Sequence, residues 1–141
     1  GRDDLLQGGP GFGAFEGNEL IRSANDALVN EKLTFCMHFP IPTDALDRLR
    51  DKLSVWRIRC PGSAAVGLAN VAAGRLDGSL EFRSKPWDCA GGHPICVGAG
   101  ASFHFLEEPC FPMGSFSTAM PSFPFYVGTP QFCDAVAEAF A

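Results

Sequence analysis

No stretch of this 141-residue sequence approaches the roughly 20 consecutive apolar residues that a membrane-spanning helix requires, which gives no reason to expect a membrane partner. A surplus of positive charge is missing too. Eleven Lys and Arg stand against 16 Asp and Glu, and the net charge of −5 offers no electrostatic attraction to nucleic acid. No C-x-x-C occurs among the six cysteines at 36, 60, 89, 96, 110 and 133, and the chain is too large to need a disulfide framework. Most of them sit in apolar runs such as "LTFCMHF" (33–39), where free Cys behaves as a small core residue. That usage predicts a reducing compartment, the cytoplasm. No G-x-x-x-x-G-K-[ST] is present, and "GGPGFGAFEG" (8–17) and "GAGA" (98–101) give no clean G-x-G-x-x-G between a strand and a helix. They read as turns. No G-x-S-x-G occurs, and no Ser or Cys has a His at a persuasive offset for a nucleophilic dyad. No cationic, apolar-cored leader is recognised, and Gly rather than Met at position 1 points to a processed product or a piece of something longer.

What remains is 46% hydrophobic and 19% charged, the balance of a folded globular protein of one domain. Residues 1–18 read as a Gly-rich opening loop or hairpin, and 19–141 as a single α/β domain. Segment 20–31 reads as a weak helix or irregular connection, and 33–39 as a strand ended by "PIP". A helix follows, with Thr43 as N-cap, Asp44 in its first turn, and Leu46, Leu49 and Leu53 on one face. "SVWRIRC" (54–60) reads as a strand. "GSAAVGLANVAAG" (62–74) reads as a tightly packed helix with Ser63 near its start and Gly74 ending it. A strand or bent hairpin arm at 75–82 precedes a helix from Asp88 to about Val97, and a strand covers 102–106. Residues 109–124 form a loop rich in Pro and Phe. "FPFYVGT" supplies a last strand, and Thr129 with Pro130 opens a final helix whose apolar side is Phe132, Val136 and Phe140. Alternating strands and helices predict an α/β fold, a layered sheet with packed helices.

The chemistry centres on "KPWDCAGG" (85–92). As first residue of a helix, Asp88 has an ordinary role as a cap, worth about 1 kcal/mol. A second role competes with it. Lys85 and Pro86 stiffen the approach, Trp87 anchors it, and Ala90, Gly91 and Gly92 remove bulk. A fixed, open carboxylate of that kind suits a hard cation such as Mg2+. Glu81, in "SLEF", is on its own a strand-end carboxylate. Gly62 and Ser63 open a helix whose free N–H groups can meet an anion or hydroxyl. Cys89, His93, Cys96 and His104 fit no standard zinc spacing, and Cys89 and Cys96 look like helix-core positions. His38 reads as a satisfied core histidine. The 13 Phe read as core, with an exposed aromatic docking patch as the alternative.

Residues 62–101, "GSAAVGLANVAAGRLDGSLEFRSKPWDCAGGHPICVGAGA", resemble the carboxyl-terminal signature region of the inositol monophosphatase family: G-[ST]-A-A, a helix, V-A-A-G-x-x-D, a Glu, then W-D-x-A-[AG]-G and an A-G-[GA] close. "GFGAFEGNELIRSA" is similar to that family's hairpin, and "VGTPQFCDAVAEAF" to its closing strand and helix. The resemblance implies the carboxyl-terminal half of an αβαβα fold and a Mg2+-dependent, Li+-sensitive phosphomonoesterase. It implies Asp88 as metal ligand and catalytic residue, Glu81 as acceptor for hydroxyls of a sugar-like ring, and Gly62, Ser63 and Ala64 as the turn lining the substrate pocket. The implied partners are a small phosphorylated polyol or sugar, the amino-terminal half of the same fold, and a second copy in a homodimer. Histidinol-phosphate and bisphosphonucleotide phosphatases are alternatives within the family.

The departures matter as much. The family's other metal ligands, a glutamate and D-P-[IL]-D-[GS]-T, are absent, and the one D-D, Asp3–Asp4, lacks the Pro and Thr context. This chain alone is therefore expected to be inactive, and a non-catalytic remnant or binding module that keeps the fold is the competing expectation. Gly98 replaces the usual Glu of the close, and Pro94 is expected to kink its helix.

Overall fold

The computed structural model describes residues 5–24 and 32–141. Of the loop or hairpin expected over 1–18, the described residues form the hairpin. Leu6–Gly9 (β1) and Gly13–Glu16 (β2) form an antiparallel hairpin, and Glu19–Ile21 (β3) adds to it as a third strand. Of the weak helix or irregular connection expected over 20–31, the described residues show the end of β3 and then irregular chain at 22–24, and 25–31, like Asp3–Asp4, lie outside the described residues.

The larger sheet has five strands: Thr34–Met37 (β4), Arg57–Arg59 (β5), Gly78–Glu81 (β6), Ser102–Phe105 (β7) and Phe125–Gly128 (β8), in the order β5-β4-β6-β8-β7. β4 runs parallel to both β5 and β6, whereas β8 is antiparallel to β6 and β7. Strand alternation sorts the side chains between two cores. Phe35 and Met37 of β4, Leu80 of β6 and Tyr126 of β8 face the helices Thr43–Leu53 (α1) and Pro130–Phe140 (α5). Phe125 and Val127 face the other way, onto Ala64–Ala72 (α2), Pro86–Cys89 (α3) and Gly92–Gly98 (α4). The small sheet lies over α4, and Ala14 completes that second core. The result is an α/β fold in four layers: α1 with α5, the five-stranded sheet, α2 with α3 and α4, and the three-stranded sheet.

Thr43 is the first residue of α1, not its cap. Pro42 holds the N-cap position and offers no side-chain bond. The apolar face is also shifted, with Ala45 and Leu49 buried and Leu46 exposed. Thr129 does cap α5, accepting a hydrogen bond from the Phe132 N–H at 3.2 Å, with Pro130 as the first helical residue. The single helix expected from Asp88 onward is two helices broken at Ala90 and Gly91. Pro94 falls in the first turn of α4, and the break at Ala90 and Gly91 stands where its missing N–H would have bonded, so the expected disruption is a division into two helices four residues upstream. Gly98 has its own cause. A Cβ there would stand 2.5 Å from the Gly13 carbonyl oxygen, so only a residue without a side chain lets α4 meet the hairpin. Most Phe side chains are core, among them the fully buried Phe35, Phe125 and Phe132, while Phe12, Phe39 and Phe116 are exposed.

Candidate active site

The carboxyl ends of β4 and β6 and the amino end of α2 open onto one cleft of about 520 Å³. Open α/β sheets bind ligands at the carboxyl ends of their strands. Asp88, Glu81, Gly62, Ser63 and Ala64 all line this cleft, although 26 positions separate the first from the last.

Gly62 makes the turn into α2 with a φ of +77°. Ser63 is the N-cap, accepting from the Val66 N–H at 3.4 Å, a long bond. Ala64 and Ala65 of the first turn also line the cleft. Asp88 is the third residue of α3 rather than its first. Its Oδ2 accepts the Lys85 N–H at 2.8 Å, the return half of a capping box. The two roles weighed for Asp88 therefore coexist: it closes the helix start and lines the cleft, half-buried. Trp87 is not the anchor. Its ring is 46% exposed and meets Phe116 edge-on, whereas Pro86 beside it is fully buried. Lys85 ties α3 to the long loop through its Nζ, which donates to the Met120 carbonyl at 2.8 Å.

Glu81 is the buried end of the site, 3% exposed. Its Oε1 accepts from the Ser79 hydroxyl at 3.2 Å and pairs with His38 Nδ1 at 2.6 Å. Burial pushes the Glu81 carboxyl above its ordinary value; His38 and Ser79 oppose that, and the negative charge of Asp88 adds to it. His38 thus has its hydrogen bond, but at the cleft wall and not in the core, 43 residues away in sequence from its partner. Only the pairing of β4 with β6 brings the two together, with Cys36 opposite Ser79 and the next same-face residues, His38 and Glu81, just beyond. Phe39 and Arg83 also reach the cleft. No local motif marks them.

Cys89, His93, Cys96 and His104 do not converge. Cys89 and Cys96 are fully buried, His93 packs between Phe103 and Phe111 at 4.6 and 5.0 Å, and His104 stacks on Tyr126 on the opposite face of the sheet.

Among the described residues, two carboxylates line the cleft. Glu81 Oε1 is committed to His38 and Ser79 and Asp88 Oδ2 to the Lys85 N–H; Asp88, the less buried of the two, could take a hard cation through its other oxygen. One carboxylate suits the way Mg2+ is held, by one or two carboxylates with waters and phosphate oxygens. The cleft fits such an ion as a contributing wall and not as a complete cage.

A family model described as the inositol monophosphatase family matches residues 10–131. A fructose-1,6-bisphosphatase/inositol-1-monophosphatase of Aquifex aeolicus is 33% identical over 112 residues, covering 76% of this chain and 42% of that protein. Among solved structures, the extragenic suppressor protein suhB of Bartonella henselae superposes with a TM-score of 0.78 at 26% identity, covering 98% of this chain and 52% of its own. An inositol monophosphatase of Thermotoga maritima gives 0.73 at 28% identity, with 98% and 51% covered. The chain spans about half the length of these relatives.

Proposed function

The chain belongs to the inositol monophosphatase family, and on that premise we propose that it forms the substrate-shaping wall of a Mg2+-dependent, Li+-sensitive phosphatase site for a polyol or sugar-like phosphomonoester. The observation that carries this is the convergence of Asp88, Glu81, Gly62, Ser63 and Ala64 on one cleft. When bound, the divalent ion would polarise the phosphoryl oxygens and activate water. Asp88 is the residue of this chain that would hold it, already fixed by its bond to Lys85 N–H. Glu81, kept in place by His38 and Ser79, accepts a ring hydroxyl. The first turn of α2, opened by Gly62 and Ser63, offers backbone N–H groups to the substrate's oxygens. Phe39 and Trp87, both exposed and lining the cleft, offer apolar surface to a completing half. The free cysteines agree with a reducing compartment.

A second reading has one observation behind it. Two cleft carboxylates among the described residues, each already holding a hydrogen bond, fit a binding module that recognises the polyol without hydrolysing its phosphate. Both readings place the ligand in the same cleft, and backbone NMR of this chain tests that. Inositol 1-phosphate with Mg2+ should shift amides in 38–40, 60–65 and 81–88, and Glu81→Gln should remove the shifts. Perturbations confined to another surface would refute the site.

A further inference from the structure

The face of β4 and β6 that carries Glu81 holds a second set of donors. Cys36 on β4 and His38, one residue past the end of that strand, stand two apart and come together on the side of the sheet where Glu81 approaches from β6. One ligand atom from each, the thiol Sγ, an imidazole nitrogen and a carboxylate oxygen, fall within 4.8 Å of one another. No other such trio occurs among the described residues. We propose that Cys36, His38 and Glu81 form a binding site for a borderline-soft divalent cation of the Zn2+ class, separate in chemistry from the hard-ion position at Asp88.

The donor set makes the distinction. Sulfur and imidazole nitrogen suit Zn2+ and are poor ligands for Mg2+. The spacing agrees. Bond lengths of about 2.3 Å to sulfur and about 2.0 Å to nitrogen put two tetrahedral ligands about 3.6 Å apart, and Cys36 Sγ lies 4.0 Å from His38 Nδ1, the nitrogen that faces Glu81. The His38–Glu81 hydrogen bond, at 2.6 Å, is shorter than the roughly 3.3 Å between nitrogen and oxygen ligands of one ion. The ion takes the place of that bond, and the ring and carboxylate part slightly to admit it. The thiol adds little to the hydrogen-bonded pair. It sits almost equidistant from the two ring nitrogens, at 3.8 and 4.0 Å, directed at neither. Loading releases one proton: Zn2+ and the Cys36 thiol give a zinc-bound thiolate and H+. His38 and Glu81 line the cleft, so a fourth position is open to water or a ligand. Resting on the functional reading above, loading would also occupy the carboxylate that meets the substrate hydroxyl.

Co2+ titrated into the reduced chain is the probe. One equivalent should bind with the thiolate-to-cobalt charge-transfer band and the intense visible bands of a tetrahedral ion, be displaced by Zn2+, and ignore excess Mg2+. His38→Gln, a change at the cleft wall, should weaken binding about 100-fold or more, beyond the loss of an outer-shell contact. Cys36→Ser should abolish the charge-transfer band, with circular dichroism checking the fold. Cys60→Ser, removing the exposed thiol of the same cleft, should change neither. Absence of the band in the native chain, its persistence in Cys36→Ser, full affinity in His38→Gln, or its loss in Cys60→Ser would overturn the site. Hydrolysis enters none of these readings, so their failure leaves the phosphatase proposal where it stands.

Discussion

Glu81 is where opposing forces on one residue are clearest. Burial and the nearby Asp88 charge raise its pKa, His38 and Ser79 pull it down, and burial prevails. A raised carboxyl binds more protons folded than unfolded. Its contribution to stability is therefore complete below the ordinary value of 4.5 and is lost as pH rises toward the folded pKa. Glu81→Gln removes that titration, so urea melts should show the variant gaining on the native chain as pH rises from about 4 to about 7. A constant difference would contradict the assignment. Thiol chemistry follows the same logic. Burial pushes Cys36, Cys89 and Cys96 up to about 12, whereas Cys60 is exposed. Brief alkylation of the native protein, mapped by mass spectrometry, should label Cys60 and spare those three. Comparable labelling of Cys36 would show that its pocket is open. At this scale the sequence was legible where a motif is contiguous. Asp88 and Glu81 lie in one recognisable run, but His38 did not declare itself, because its partner is 43 residues away across a parallel strand pair.

Among the elements, α2 and α4 position the site. Ser63 caps α2 through a 3.4 Å bond at an accessible position, so Ser63→Ala should cost about 0.5–1 kcal/mol in denaturant melts. A loss near zero would remove Ser63 as a cap. Gly98→Ala meets a closer contact, 2.5 Å from the Gly13 carbonyl, and should cost about 1–3 kcal/mol while making 5–24 more sensitive to protease. Unchanged stability would mean that α4 and the hairpin are less tightly joined than described. Strands β4, β6 and β8 and helices α2 and α5 were readable from apolar pattern and caps. The hairpin was legible only as one of two readings, loop or hairpin, since Gly-rich runs carry weak periodicity whether or not they pair. Pro94 signalled a kink, but the full break between α3 and α4 was hidden because Ala90 and Gly91 keep helical angles while ending the hydrogen-bonded run.

At the scale of the whole molecule, sheet order builds the cleft. β4 and β6 are neighbours only because the chain crosses over through α1, β5 and α2 before pairing again in parallel. That crossover sets the β4 wall against the turn into α2, with Asp88 arriving from α3 on the far side. Family membership made the layered architecture readable from sequence. The pairing of His38 with Glu81 needed coordinates. The central claim is that this chain supplies one metal-holding carboxylate and the polyol wall of a phosphatase site completed by other residues. Its most direct test combines the chain with a separately expressed amino-terminal half of a family member and measures Mg2+-dependent phosphate release from inositol 1-phosphate. Neither half should act alone, the mixture should, and Asp88→Asn should lower the rate of the mixture about 100-fold or more. A mixture as active with Asp88→Asn as with the native chain would contradict the claim.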